Sequence, residues 1–464
     1  MFCNTEGILK NKDDKIQLFE TTPIPRAVAA LSIPTVVTSL VMILYNLADT
    51  YFVGLLNDPV QSAAVTLTAP VILAFNAVIN LFGIGCSSLM SRSLGKKDYE
   101  TVRRTSVFGI YSAIAFSALF SVLTIIFRKG LLHILGADET TFDATLDYML
   151  WTVFVGVAPS ILNVVLANMI RSEGASLHAG IGTMGGCILN VILDPIFILP
   201  WGLGMGAAGA GLATFVSNVC ACIYFFVYLR IKKGKTFVSV DIRLYSLDKK
   251  IIAEVAKVGI PAAIQNLLNV TGSTILNNFT SSFGTDAVAA MGIAHKLNMV
   301  PMYVSMGMGQ GIMPLVGYNY ASGDRKRMKN CITFTSKIAI VFIVAASAAY
   351  YFCADGLIAL FIDNESVVGY GAAFLRGFCL GLPFLAVDFL AVGIFQAVGK
   401  GKESLIFAIM RKVLLEIPAL YILNRLFPLY GLAYSQLCAE VVLAVAAVVV
   451  LVKIMREKPQ TDIN

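Results

Sequence analysis

Residues 30–54 read ALSIPTVVTSLVMILYNLADTYFVG, a 25-residue stretch with one charged side chain, Asp49. A helix of about 20 apolar residues spans the ~30 Å hydrocarbon core of a membrane. Similar stretches recur as far as Val452, and they lack the alternating polarity of outer-membrane barrel strands. The stretch therefore predicts a membrane-spanning helix, and its repetition predicts an all-α membrane protein.

The composition of the whole chain supports this interpretation. Of the 464 residues, 57% are hydrophobic and 14% are charged, whereas soluble domains are about 45–50% apolar and about 25% charged. This balance excludes a typical soluble enzyme, a disordered chain and a nucleic-acid-binding protein. We therefore expect no nucleic-acid partner, although the net charge is +7. The nine cysteines are odd in number and form no CxxC motif, which is typical of small buried hydrophobes.

Twelve spans are predicted, and their charged flanks indicate the orientation. The spans are 28–56, 63–91, 106–127, 148–170, 179–200, 207–229, 259–283, 287–320, 332–353, 372–398, 405–426 and 430–452. Of the 35 lysines and arginines, 28 fall in the loops and tails at one end of these spans. Positively charged loops stay in the cytoplasm. Both termini are therefore expected to be cytoplasmic.

The two halves of the chain resemble each other. LSIP at 31–34 matches VGIP at 258–261, and the glycine pair at 83 and 85 matches the pair at 309 and 311. Six spans per half make both halves enter from the same side, so the repeat is parallel, about an axis along the membrane normal. We predict two parallel six-helix lobes related by a pseudo-two-fold axis, the plan of an alternating-access transporter. The predicted boundaries are a cytoplasmic tail at 1–27, an N-terminal lobe at 28–229, a cytoplasmic linker at 230–258, a C-terminal lobe at 259–452 and a cytoplasmic tail at 453–464.

Four polar residues of the N-terminal lobe are expected to share one layer. Asp49 lies in the outer half of span 1, and Asn190 and Asp194 are one helical turn apart in span 5. Thr214 lies about 10 Å below the outer end of span 6. Their oxygens suit a hard cation such as Na⁺, and the two carboxylates could instead share a proton. The alternatives are that Asp49 only marks the end of span 1 and that Asp194, before Pro195, only bends its helix.

The C-terminal lobe does not repeat this set. When the prolines of spans 5 and 11 are aligned, Ile417 stands opposite Asp194. Coupling of an ion to transport is therefore expected mainly in the N-terminal lobe. In span 4 the sequence does not distinguish Asn163 from Asn168 as a further contributor.

Other intramembrane side chains are candidates for lining a substrate cavity. A charged group within a membrane is costly, so each is informative. The candidate acids and amides, with two thioethers that suit varied lipophilic cations, are Asp388, Glu416, Gln265, Asn266, Met291 and Met302. Lys296, Arg411 and Lys412 could instead neutralise the acids in structural pairs.

Motifs for nucleotide binding, zinc binding or nucleophilic catalysis are absent from the sequence or lack the required context. Gly204, Gly206 and Gly209 satisfy GxGxxG, but they follow no strand, so close helix packing explains them better. The sequence contains no P-loop lysine motif, no zinc spacing and no nucleophile–base constellation. We therefore expect neither an enzyme nor a resident cofactor.

Several segments resemble the multidrug and toxic compound extrusion (MATE) family. LNVILDPIFIL at 189–199, GAAGAGLATFVSN at 206–218 and PLVGYNYASGDRKRM at 314–328 carry the resemblance, together with residues 30–54. The similarity covers essentially residues 25–455. It is closer to the bacterial DinF or MepA subgroup than to the NorM type.

The resemblance implies a monomeric antiporter in the bacterial cytoplasmic (inner) membrane. Such an antiporter exports drug-like, often cationic compounds in exchange for inward H⁺ or Na⁺. The cation-coupling positions of the family, a possible Na⁺ site, map onto Asp49, Asn190, Asp194 and Thr214. Its acid in span 10 maps onto Asp388. The chain departs from NorM-type members in span 7, because Gln265 and Asn266 stand where those members carry a glutamate. A sodium site in the C-terminal lobe is therefore less favoured.

Three other classes of membrane protein are weighed against this one. A lipid-linked saccharide flippase of the same superfamily would have a more strongly cationic cavity. A major facilitator porter usually carries a DRxGRR-like run after its second span, whereas this chain reads SRSLGKKDYETVRR at 91–104. A channel or receptor would require neither an internal duplication nor buried acids confined to one lobe.

Overall fold

The structure, a computed structural model, describes residues 12–362 and 364–456. Parts of the two predicted tails, residues 1–11 and 457–464, lie outside the described residues. Within the described ranges the chain is helical and contains no strand. The helices are α1 Lys12–Glu20, α2 Ile24–Gly54, α3 Pro59–Gly95, α4 Tyr99–Ile126, α5 Arg128–Ile134, α6 Phe142–Met149, α7 Val157–Ser172, α8 Ser176–Ile198, α9 Ala207–Ile231, α10 Lys249–Ser281, α11 Thr285–Ala321, α12 Arg325–Phe352, α13 Ala354–Ala359, α14 Glu365–Ala397, α15 Gly401–Ile409, α16 Ile417–Leu426 and α17 Gly431–Arg456. Two segments of the described chain are π-helical. Leu150–Phe154 lies between α6 and α7, and Met410–Glu416 joins α15 to α16.

Ten helices of the described chain are long and apolar enough to cross a membrane. The two other predicted spans are also helical. One is α11, whose apolar run is interrupted by His295 and Lys296. The other runs through α15, the π-helical segment and α16, and it contains Arg411 and Lys412. The all-helical, two-lobe fold predicted from the sequence is confirmed, with these two spans more polar than the rest.

The segment between the lobes is shorter than the predicted linker at 230–258. Helix α9 continues to Ile231 and α10 begins at Lys249. Asp248 starts α10 because its carboxylate accepts a hydrogen bond from the backbone N–H of Lys250, at 2.8 Å. The basic residues from Lys249 onward therefore belong to the first turns of a 33-residue helix.

The two lobes are joined at one end, which we call the basic end because the lysine- and arginine-rich loops lie there. The largest apolar core contains residues of both lobes at this end, such as Leu31 of α2 and Ile312 of α11. At the opposite end the cores are separate. Val53 belongs to a cluster within the N-terminal lobe, and Phe374 belongs to one within the C-terminal lobe. Within the described residues, the lobes share no apolar core at the end opposite the basic end, and we call the space between them there the cleft.

Glycines allow this close approach of the lobes. A Cβ atom on Gly259 of α10 would lie 2.2 Å from the carbonyl oxygen of Leu81 on α3. A Cβ atom on Gly311 of α11 would lie 2.6 Å from the Cα of Ser32 on α2. Backbones this close exclude any larger residue without a shift of the helix. Of the two matched glycine pairs, the second member of each meets the other lobe, because a Cβ atom on Gly85 would likewise lie 2.5 Å from the carbonyl oxygen of Val255 on α10.

Candidate functional site

The residues predicted to form a polar layer in the N-terminal lobe lie on three helices, α2, α8 and α9. Helix α8 packs between the other two. The Nδ2 atom of Asn190 on α8 lies 3.2 Å from Oγ1 of Thr214 on α9. When the amide is turned so that its nitrogen faces the carboxylate, it donates to Oδ2 of Asp194 at 3.0 Å. Its oxygen then accepts from the backbone N–H of Thr214, also at 3.0 Å. Asn190 therefore connects the carboxylate of its own helix to the neighbouring helix.

The two carboxylates of the layer differ in burial. Asp194 and Asn190 are 0% and 1% exposed, respectively, whereas Asp49 is half-buried. Asp49 on α2 is close enough to Asp194 for the two charges to repel each other. Two carboxylates held together in a buried place are stabilised by a proton or a cation between them. Asp49 is therefore the more accessible member of the pair.

Two tyrosines that the sequence analysis missed complete this group. The hydroxyl of Tyr45 lies near Thr214, and the charges of Asp49 and Asp194 both act on it. Tyr148, only 6% exposed, lies near the same two carboxylates. Tyr45 could have been found from the sequence, since it precedes Asp49 by one helical turn on the same face. Tyr148 had no such signal, because α6 approaches the site only in the folded chain.

The structure also distinguishes the two asparagines of α7. Asn163 donates to Oδ1 of Asn218 at 2.8 Å, and Asn218 donates to the carbonyl of Thr214 at 2.9 Å. Asn163 thus belongs to a chain of amides that reaches the polar layer. Asn168 instead accepts from Arg171 at 2.8 Å, near the basic end of the same helix. Of the two, Asn163 is the one connected to the candidate site.

The tentative cavity residues of the C-terminal lobe do not form one group. Oε1 of Glu416 accepts from Lys412 at 2.7 Å, so this acid is in a structural pair. Gln265 accepts from Gln396 at 3.3 Å, whereas the side-chain oxygen of Asn266 is buried without a partner. Met291 is 1% exposed inside the apolar core of its lobe. Met302 is half-buried and packs against another apolar cluster of the same lobe.

Asp388 lies in a second buried charge cluster. Asp388 is 3% exposed, and both of its carboxylate oxygens are buried near Glu440 of α17 without a hydrogen-bond partner among the described residues. Arg411 donates to Oε1 of Glu440 through Nε and Nη2, both at 2.7 Å. The guanidinium also lies 5.0 Å from the ring centroid of Phe389. One arginine thus faces two acids here, and Glu440 rather than Asp388 holds it directly.

The MatE family model matches this chain twice, over residues 34–196 and 261–422. The chain belongs to the MATE family. The two matches begin 227 residues apart and end 226 residues apart. The same spacings separate LSIP from VGIP and Gly83 from Gly309 in the repeat. Each half of this MATE chain is therefore one copy of the family's repeating unit.

Relatives and solved structures of this MATE chain extend over nearly its whole length. It is 33% identical to the multidrug export protein MepA of Staphylococcus aureus (strain NCTC 8325 / PS 47), covering 97% of this chain and 98% of MepA. It is 32% identical to MepA of Staphylococcus saprophyticus with the same coverage. A solved structure of a multidrug resistance MATE family transporter of the MOP superfamily, in an outward-facing conformation, superposes with a TM-score of 0.89 at 25% identity. That likeness covers 95% of this chain and 98% of the other.

Proposed function

We propose that this MATE transporter exports amphipathic, often cationic, drug-like molecules in exchange for H⁺ or Na⁺. Near-full-length similarity to multidrug export proteins supports the class of substrate. The acidic layer around Asp49 and Asp194 supports coupling to a cation, and no resident cofactor or enzymatic step is required. The protein would act as a monomer in the cytoplasmic membrane of a bacterium.

The basic end is assigned to the cytoplasm. Positively charged loops are retained on that side during insertion. The cleft of this structure then opens to the outside, which corresponds to the outward-facing state of the transport cycle. In this state a cation from outside reaches Asp49, and a drug can leave the cleft.

The observation that carries the proposal is the pairing of two features of the molecule. In the described residues the two lobes share an apolar core at one end, and an acid pair, with Asp194 buried and Asp49 half-buried, lies in one of them. A ligand shifts the balance between two conformations only when it binds them with different affinity. Cation binding between Asp49 and Asp194 removes the repulsion of the pair and can supply this difference. Occupation of the acids by a cation and occupation of the cleft by a drug would then favour opposite states.

The first test is accumulation of ethidium in pump-deficient bacteria. Cells producing the unmodified protein are compared with cells producing Asp49→Asn or Asp194→Asn and with cells carrying the vector alone. Each strain is measured with and without sodium. We expect low accumulation with the unmodified protein and high accumulation with Asp49→Asn, Asp194→Asn or the vector, because an amide removes the charge but keeps the shape of the side chain. A matched control is Asp143→Asn, an exposed aspartate on α6 outside the site.

The outcomes separate the candidate functions. Export that depends on Asp49 and on sodium indicates Na⁺ coupling, whereas export that depends on Asp49 but not on sodium indicates H⁺. Low accumulation with Asp49→Asn would contradict coupling at this residue. Equal accumulation in all strains, with the protein present in the membrane, would remove ethidium as a substrate and favour a lipid-linked saccharide flippase.

A further inference from the structure

Helix α1 precedes the first membrane-spanning helix and lies across the seam between the lobes at the basic end. Of its nine residues, Leu18 and Phe19 are buried at 2% and 1% exposure, and Lys15 is buried at 3%. An isolated helix of this length is not stable in water. The contacts of α1 with the two lobes therefore hold it in place.

One set of contacts fixes α1 to the N-terminal lobe. Lys15 forms an ion pair with Glu173, which is 0% exposed beyond the end of α7. The backbone N–H of Phe237 donates to the same carboxylate at 2.7 Å. Gly174, at a φ of +91°, lies beneath Leu18 and Phe19, and a Cβ there would come within 3.1 Å of Phe19. The short connection to α2 also ties α1 covalently to this lobe.

A second set of contacts fixes the end of α1 to the C-terminal lobe. Arg327 of α12 donates to the carbonyls of Phe19 at 2.5 Å, Thr22 at 2.5 Å and Leu18 at 3.2 Å. The carbonyls of Leu18 and Phe19 belong to the last turn of α1, where carbonyl groups have no partner within the helix, and Thr22 lies in the connection to α2. The ring of Phe19 stacks on Tyr318 of α11 with centroids 4.9 Å apart. The hydroxyl of Tyr318 donates to Glu20 at 2.7 Å.

We propose that α1 is a strap that holds the lobes together at the basic end and is released from the C-terminal lobe whenever that end opens. The lobes cannot separate there while both sets of contacts persist. The contacts to α11 and α12 are the ones that break, because α1 is continuous with α2 and its buried Lys15–Glu173 pair is costly to open. This inference rests on the alternating opening proposed above.

The test measures how often the basic end opens in the absence of any drug. Ser32→Cys is the reporter, because Ser32 is 5% exposed and lies against Gly311 of the other lobe. The full chain carrying this substitution is placed in nanodiscs, and its rate of labelling by a soluble maleimide is measured. The rate of the same chain with Ser32 intact is subtracted as the contribution of the native cysteines.

We expect Arg327→Gln to raise the labelling rate at position 32 about tenfold. That factor corresponds to ~1.4 kcal/mol, the order of one charge-assisted hydrogen bond. Tyr318→Phe, which keeps the stacked ring and removes only the bond to Glu20, should give a smaller increase. Lys329→Gln is the matched control, since it removes a neighbouring exposed charge of α12. The control should label at the rate of the parent.

Equal labelling of Arg327→Gln and Lys329→Gln would overturn the strap. The assay needs no substrate, so it separates the two proposals. Normal drug export with unchanged labelling would reject only the strap. Increased labelling in a protein that exports no drug would retain the strap and reject the proposed function.

Discussion

At the scale of single residues, polar groups in this chain are placed by helical spacing and satisfied by neighbouring helices. Asn190 and Asp194 lie one turn apart, and the amide of Asn190 also reaches Thr214 on another helix. The sequence alone predicts that Asn190 and Asp194 lie on one face of their helix, because they are four residues apart. The partner on the other helix was expected only from an estimate of depth along each span.

Glycines of the lobe contact provide a residue-scale prediction. Gly259→Ala should destabilise the protein by about 1–3 kcal/mol, the usual cost of overpacking, because its Cβ would meet a backbone carbonyl of α3. Gly292→Ala is the matched control, since a Cβ there meets no atom within 4 Å. It should be neutral or stabilise by about 0.5–1 kcal/mol, because alanine favours a helix over glycine.

The measurement is the thermal unfolding midpoint of each purified variant in the same detergent. Gly259→Ala should lower the midpoint relative to Gly292→Ala. Equal midpoints would mean that α3 and α10 can separate without cost, contrary to the close packing described here.

At the scale of elements, the π-helical segment Met410–Glu416 positions charged side chains inside the C-terminal lobe. It brings Arg411 against Glu440 of α17 and leaves Lys412 beside Glu416. From the sequence alone, these acids could either attract a cation or form such structural pairs. The structure forms one pair between Lys412 and Glu416, and it pairs Arg411 with Glu440 rather than with Asp388.

This pair provides an element-scale prediction. Arg411→Met should lower the free energy of unfolding by about 3–5 kcal/mol, because it leaves buried acids without a counter-charge. The double variant Arg411→Met with Glu440→Met should recover most of that loss, since apolar replacement of a buried pair is often neutral. Arg104→Met is the control, because its pair with Glu100 is exposed and such pairs contribute less than about 1 kcal/mol.

Chemical unfolding of the parent, these three variants and the single variant Glu440→Met completes a double-mutant cycle. Equal stability of Arg411→Met and its double variant would show that Glu440 is not the partner that requires the arginine. A loss with Arg104→Met as large as with Arg411→Met would remove the distinction between buried and exposed pairs.

At the scale of the whole molecule, the division into two lobes explains where the chain can move. One apolar core crosses both lobes at the basic end, and separate cores support each lobe at the other. Each lobe can therefore stay folded while the contacts between the lobes change. The glycine contacts and α1 both belong to the part that has to rearrange.

Orientation in the membrane is the whole-molecule prediction. Lys129→Cys lies at the end opposite the basic end and Lys233→Cys lies at the basic end, and both positions are exposed. A membrane-impermeant maleimide added to intact cells should label position 129 and not position 233, if the basic end is cytoplasmic. Each variant is compared with the unmodified chain to account for native cysteines. Labelling of position 233 alone would reverse the assignment.

Much of the fold was determined by the sequence itself, because the signals are local or repeated. The length and apolar character of each stretch define a membrane helix within one segment, so the all-helical fold and the family were predicted correctly. The repeat offsets reappear in the two family matches. The two more polar spans, α11 and the stretch from Gly401 to Leu426, were also predicted as helices, because each has a long apolar run in spite of its charged residues.

Only the tertiary structure decided which side chains meet, because such contacts join residues far apart in the chain. Tyr148 joins the acidic layer through the packing of α6, and Glu440 rather than Asp388 pairs with Arg411. Met291, a candidate for the cavity, lies inside an apolar core instead. Helix α1 was not expected as an element, since its nine residues form a helix only where both lobes bind them. Local pattern thus specified the helices, whereas the packing of helices distant in sequence specified the site and the seam.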